Sequence, residues 1–195
     1  MGLVYKPLID KGFQIFFTNI ETAEMIKYAS NSFLNNKIGF INVICDICEM
    51  TGANVDDIAK AMGMDKRISP LFLKPDPRIG GSCFPQETIA LAKMGNKLGL
   101  DLQIISASVN SNINRKNSLA NRVINYSKNT LEGKTISLLG LTFKAKIDET
   151  RYSPSLNLVE ELAKENIKVN AYDPHGIDKF KYMVDPKTIR FHKIL

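Results

Sequence analysis

Residues from about Asn19 to Met50 form one unbroken helical pattern, with Ala23, Ile26, Phe33, Ile41, Ile44 and Cys48 recurring at three- and four-residue steps. Thr18 and Glu21 fit a capping box at its start, and Gly52 supplies a stop. A helix of ~30 residues is far above the usual three or four turns. A run this long serves as a backbone that joins two domains or packs in a dimer, and everything else must be arranged around it.

The rest of the 195 residues can build a real core, since 44% are hydrophobic and 24% charged. That apolar fraction is too high for a disordered chain, and 12 Gly with 8 Pro is too few for a collagenous or low-complexity one. No stretch approaches the roughly 20 apolar residues of a membrane helix. The opening Met1-Gly2-Leu3-Val4-Tyr5-Lys6 has neither an apolar core region nor a cleavage site, so no secretory signal is expected. Lys+Arg number 26 against 20 Asp+Glu, a formal charge of +6. These cations are interleaved with acids, and the longest cluster, from Lys181 to Lys193, is broken by Asp185 and Pro186. That is a solvated surface rather than a face for nucleic acid or membrane, although a basic pocket for an anionic small molecule stays open. Three cysteines, an odd number, fit a reducing compartment, and a cytoplasmic location is expected. Cys45 and Cys48 have C-x-x-C spacing but no second pair, and His175 and His192 are remote, so two buried helical thiols are expected and no metal.

Along the chain, Phe13 to Thr18 reads as a short β-like run. Asn54 caps a short helix from Val55 to Met62, closed by Gly63. Ser69 to Pro85 is a loop punctuated by Pro70, Pro75 and Pro77, with Pro85 opening a helix that ends at Gly99. One long helix is expected from about Leu102 to Lys128. After Glu132-Gly133 the character changes. Lys134 to Gly140 looks like a buried strand, Ser155 to Glu165 like an amphipathic helix, Ile167 to Asp173 like a second strand, and Thr188 to Ile194 like a third. Strand, helix and strand of these lengths make a βαβ unit.

Cys83 follows Gly80-Gly81-Ser82 and stands at the start of a helix, where unpaired N–H groups favour the thiolate. A nucleophile and a structural cysteine are both compatible with that setting. Lys27 and Asn31 are four apart and share a helical face. A cation and an amide side by side can stabilise a developing oxyanion, or simply face solvent and pack. A cysteine acyl-transfer site would need a histidine base, and neither histidine stands in a triad context.

The run Glu21 to Leu34, the segment Gly80-Gly81-Ser82-Cys83-Phe84-Pro85, and Gly140-Leu141-Thr142-Phe143-Lys144 with Asp148, Arg151, Ser153 and Pro154 resemble the UDP-glucose/GDP-mannose dehydrogenase family. Gly63 to Ile68 and Phe72-Leu73-Lys74 fall between them in the family's order. The resemblance implies two NAD-dependent oxidations of a UDP-sugar, UDP-glucose in the most similar subfamily, from the C6 alcohol to a carboxylate. Cys83 would be the nucleophile that carries a thiohemiacetal and then a thioester. Lys27 and Asn31 would hold the reacting oxygen, and Glu87 would stand where the attacking water is oriented. Arg67, Phe72, Lys74, Gly80, Phe143 and Lys144 would contact the sugar nucleotide together with Lys27 and Asn31. Gln86, Arg151 and Cys83 would lie near NAD.

Two departures stand out. The family continues Cys-Phe-Pro-Lys-Asp, whereas this chain has Gln86 and Glu87, which removes a cation and adds a methylene. The glycine-rich G-x-G-x-x-G turn that cradles a dinucleotide pyrophosphate does not occur in the sequence. The implied architecture is mainly α. Residues 1–18 would be the residual strand and linker of a missing N-terminal domain. A helical central domain, 19–130, would dimerise through its long helix, and 131–195 would be a truncated α/β Rossmann-like UDP-binding unit. By this reading the chain is a fragment, inactive alone, or else a non-catalytic helical dimerisation remnant or one half of a split enzyme.

Overall fold

The computed structural model describes residues 2–77, 79, 83–115, 118–127 and 135–192. One turn of helix, α1 (Lys6–Ile9), and an irregular stretch lead to Asn19, which opens α2 (Ile20–Thr51). The cap is one residue later than the sequence suggested. Asn19 Oδ1 accepts from the Thr22 N–H at 2.8 Å, so Thr18 and Glu21 do not form the expected box. Gly52 closes the helix at φ +77°, in the left-handed region that glycine tolerates best. Phe13 to Thr18 is not a strand. It is irregular, with Phe13, Phe16 and Phe17 exposed, and no strand among the described residues pairs with it.

Helix α2 is inverted relative to an ordinary amphipathic helix. Ser32, Asn35, Gly39 and Asn42 are buried beside Ile41 and Cys48, while Ile26, Phe33, Phe40 and Ile47 stand exposed at seven-residue steps. Asn54 Oδ1 caps α3 (Val55–Gly63) by accepting from the N–H groups of Asp56 and Asp57. Helix α4 (Cys83–Lys97) has Pro85 in its first turn, as expected, where a missing N–H costs nothing.

The span expected to be helical from Leu102 to Lys128 is described over α5 (Gln103–Arg115) and α6 (Ser118–Ser127), and both are helix. The Ser118 hydroxyl donates to the Arg115 carbonyl at 3.0 Å. The two helices also serve different cores. Helix α5 packs on α2 and α4, whereas Ala120 of α6 is buried with the apolar residues of the C-terminal sheet. Arg115 and Arg122 both reach Asp46 of α2, at 2.6 and 2.9 Å, and tie the three helices together.

Beyond them lie β1 (Thr135–Leu139), α7 (Pro154–Lys164), β2 (Lys168–Tyr172), α8 (Ile177–Phe180) and β3 (Ile189–His192). The strands form a parallel sheet in the order β1-β2-β3, with Ile136 beside Val169 and Val169 beside Ile189. Strand, α7 and strand make the expected βαβ unit. Strand β1 is not the buried strand its Ile-Ser-Leu-Leu run suggests. It lies at an edge of the sheet, alternates between part-buried and exposed, and leaves Leu139 in solvent. Central β2 instead buries Val169 and Ala171 against Leu158, Val159 and Leu162 of α7. Asp173, just past β2, locks the strand ends together. Its carboxylate accepts from the backbone N–H groups of Leu141, Thr142, His175 and Gly176. Burial pushes its pKa up, and the four N–H donors together outweigh that and hold it below the usual range.

Candidate active site

The long helix α2 delivers Lys27 and Asn31 one turn apart, and α4 delivers Glu87 one turn after Cys83 at its start. The three side chains meet. Lys27 Nζ donates to Glu87 Oε1 at 2.8 Å, and Asn31 Nδ2 donates to Glu87 Oε2. The Lys27 ammonium holds the Glu87 carboxyl below its ordinary range, helped by the Asn31 amide and opposed by partial burial. Glu87 is therefore ionised at neutral pH, and each of its oxygens is occupied by a donor from α2. The expected cation–amide pair exists, and the acidic residue of the loop-to-helix motif is what it grips.

Loop residues approach from the other side. Phe72 packs edge-on against Phe84 with ring centroids 5.9 Å apart, in a left-handed backbone conformation at φ +62°. Lys74 is exposed two residues on, and Arg67 is paired with Asp65 at 2.6 Å and points into solvent. Gly80 lies outside the described residues, as does the side chain of Cys83. Phe143 and Lys144 belong to the loop after β1, where the Lys144 ammonium lies 5.8 Å from the Phe143 ring. None of Arg67, Phe143 and Lys144 has a bond to the Lys27–Asn31–Glu87 group among the interactions of the described residues.

Of the three residues expected near a dinucleotide, Gln86 and Arg151 are engaged within the chain. Gln86 Nε2 donates to the Tyr152 hydroxyl at 3.2 Å, which joins α4 to the segment before α7. Arg151 pairs with Glu149 at 2.7 Å, and its side chain and backbone N–H draw the Glu149 carboxyl from its ordinary 4.5 down to about 2. Tyr152, at φ +57°, also walls a cleft of about 130 Å³ with Asn35, Gln86, Thr88 and Asn112.

Several residues that frame this region carry no sequence motif. Asn112 Oδ1 accepts from the Ile79 N–H at 2.9 Å and its Nδ2 donates to the Ile79 carbonyl at 3.1 Å, in the manner of a neighbouring strand. Asn42 Oδ1 accepts from the Asp76 N–H at 2.8 Å, and Arg115 Nε donates to the Asp76 carbonyl at 3.2 Å. Together they clamp the segment that leads to Cys83. The only trace in the sequence is asparagine at positions of α2 and α5 that helical spacing turns inward.

Comparison with known proteins bears directly on this arrangement. Residues 21–114 match the central domain of the UDP-glucose/GDP-mannose dehydrogenase family, and residues 137–193 match that family's UDP-binding domain. The chain belongs to this family. It is 39% identical over 188 residues to a UDP-glucose 6-dehydrogenase of Rickettsia felis, an alignment that covers 96% of this chain and 42% of that protein. The chain thus spans about two fifths of the length of the curated relatives it matches. A UDP-glucose dehydrogenase from Pyrobaculum islandicum superposes with a TM-score of 0.81 at 30% identity, over 89% of this chain and 40% of that one. A UDP-D-ManNAc dehydrogenase from Pyrococcus horikoshii gives 0.72 at 27% identity, over 84% and 38%. The family's members are NAD-dependent dehydrogenases of nucleotide sugars, and among the described residues of this one no helix is long and apolar enough to cross a membrane.

Proposed function

We propose that this chain supplies the substrate side of a cytoplasmic UDP-glucose 6-dehydrogenase, the portion that binds the UDP-sugar and carries its covalent intermediate. The observation that supports this most directly is the meeting of Lys27 and Asn31 with Glu87 on the helix that begins at Cys83. In this reading the Cys83 thiolate adds to the C6 aldehyde, and the new oxyanion is held by the Lys27 ammonium and the Asn31 amide. Turning that adduct into a thioester needs a hydride acceptor, which the residues of this chain do not hold by themselves. Water oriented by Glu87 attacks the thioester carbonyl carbon and gives one proton to the Glu87 carboxylate, the thiolate leaves, and the acid so formed loses its remaining proton to become the carboxylate. Lys27 and Asn31 must turn from Glu87 toward the substrate oxygen as the sugar binds. Phe72, Lys74, Gly80, Phe143 and Lys144 contact the nucleotide sugar, and Arg67 reaches it from the chain that bears it or from a second copy.

NAD, when bound, supplies the hydride acceptor. Only Gln86, Arg151 and Cys83 of these residues stand toward it in this reading. Gln86 and Arg151 are tied to Tyr152 and Glu149, and the sequence carries no glycine turn for the pyrophosphate. These residues do not make a dinucleotide site by themselves, and no step is assigned through it. The 195 residues alone are expected to bind UDP and UDP-glucose in a calorimetric titration without producing reduced cofactor. Turnover by the chain alone would overturn the assignment, and so would failure to bind UDP.

The exposed face of α2 favours a companion reading. Ile26, Phe33, Phe40 and Ile47, with Val43 and Met50 between and beyond them, form a seven-residue apolar seam suited to a second copy of the same helix. A homodimer through α2 is compatible with a catalytic role, with one half of a split enzyme, or with a non-catalytic dimerisation module. Restored turnover on adding a dinucleotide-binding half would mark the split enzyme. Dimerisation without UDP binding would mark the module.

A further inference from the structure

Lys37 stands on α2 ten residues beyond Lys27, and its ammonium is spent on one loop. Nζ donates to the carbonyls of Ile68 at 2.8 Å, Ser69 at 3.3 Å and Leu71 at 2.5 Å. An ammonium has three protons, and these three acceptors match them. By contrast Lys27, Lys164, Lys179 and Lys181 meet carboxylates on exposed surface.

The loop needs such a tie. Ser69 and Phe72 both sit at positive φ, +67° and +62°. Such a conformation is disfavoured for a non-glycine residue and persists only where its surroundings hold it. Three carbonyl dipoles also converge on one point, which is unfavourable unless a cation occupies it. Pro70 is seated against the end of α3, so closely that a Cβ on Gly63 would lie 2.8 Å from the Pro70 Cα. Phe72 then meets Phe84 at the start of α4. The segment from Arg67 to Lys74 is thus bent into a disfavoured shape and fixed at its middle by a charge from α2.

We propose that Lys37 is a positioning residue: its ammonium gathers the carbonyls of the turn from Ile68 to Leu71 and so holds Phe72 and Lys74 where a nucleoside-diphosphate sugar meets them. The nucleotide half of this statement rests on the function proposed above, whereas the latch itself rests on the contacts of Lys37.

The test uses the full chain, its Lys37→Met and Lys37→Arg variants, and three readouts. Amide exchange followed by mass spectrometry should quicken about tenfold at Leu71 to Leu73 in Lys37→Met and stay unchanged in β2. Affinity for UDP should fall about tenfold in Lys37→Met and largely return in Lys37→Arg, whose guanidinium can also donate to several carbonyls. In the unaltered protein the Lys37 amine should react with acetic anhydride about tenfold more slowly than the exposed Lys74 amine, since its protons are all engaged. This last measurement decides the matter even if Lys37→Met does not fold. Unchanged loop exchange in a folded Lys37→Met variant overturns the latch, as does a Lys37 amine as reactive as that of Lys74. A loop that responds in a protein that does not bind UDP leaves the latch standing and removes the functional reading. Intact UDP binding with an unresponsive loop does the reverse.

Discussion

Glu87 on α4 reaches back across 60 residues of chain to the Lys27 ammonium on α2, 2.8 Å away, and takes the Asn31 amide on its other oxygen. The pairing couples the helix that starts at Cys83 to the longest helix of the fold. Lys27 is 60% exposed, so water screens much of the attraction. A double-mutant cycle of Lys27→Met and Glu87→Gln, read from urea unfolding, should give a coupling of about 0.5–1 kcal/mol. A coupling near zero would mean that the contact does not hold the two helices together.

Acid should weaken the fold through Glu149. Its folded-state value is depressed from 4.5 to about 2 by Arg151, so its stabilisation is fully present above pH 4.5 and is lost as pH falls toward 2. Glu149→Gln should therefore be less stable than the parent at pH 7, with the difference closing by about pH 2. Urea midpoints measured at pH 7, 4 and 2.5 check this. A gap that stays constant across that range would contradict it.

Asn112 should matter more to stability than its polar side chain suggests. It satisfies both the N–H and the carbonyl of Ile79, and Ile79 is buried. Asn112→Ala leaves those backbone groups without a partner and should cost about 1–3 kcal/mol. A loss below a few tenths in urea unfolding would show that water replaces the amide freely.

The exposed seam of α2 gives a prediction about assembly. Phe33→Glu with Phe40→Glu would place carboxylates on the proposed two-helix contact, and association should weaken by about 2 kcal/mol or more per protomer. Sedimentation should then report a monomer at concentrations where the parent is a dimer. A doubly substituted protein that still dimerises would locate the interface elsewhere.

The three cysteines should separate by reactivity. Cys83 begins α4, where the helix start favours the thiolate, while Cys48 is buried within α2. Alkylation followed by mass spectrometry should modify Cys83 at least about tenfold faster than Cys48 in the native protein. Equal rates would remove Cys83 from any nucleophilic role.

Much of this was legible in the sequence, and the exceptions share a cause. The length of α2, the glycine stops after it and after α4, and the βαβ unit follow from local pattern, because each is decided within a few turns of chain. Whether Phe13 to Thr18 or Thr135 to Leu139 would be paired, and on how many sides, depends on strands elsewhere, and neither is buried as its apolar residues suggested. That Ala120 of α6 belongs to the core of the C-terminal sheet is likewise something periodicity does not register. At the site, the shared face of Lys27 and Asn31 was readable from spacing. Glu87 was marked by its place after Cys83-Phe84-Pro85, but its pairing with Lys27 and Asn31, like the clamps at Asn42, Asn112 and Lys37, depends on contacts across at least 31 residues of chain, and no local signal marks those contacts.

In the proposed dimer, the inversion of α2, with serine, asparagine and glycine turned inward and aromatic rings turned out, ties how firmly the protein holds its shape to how much of it is present. In a two-chain assembly each tenfold dilution removes about 1.4 kcal/mol from the folded side of the balance. Its melting temperature should climb as the solution is concentrated.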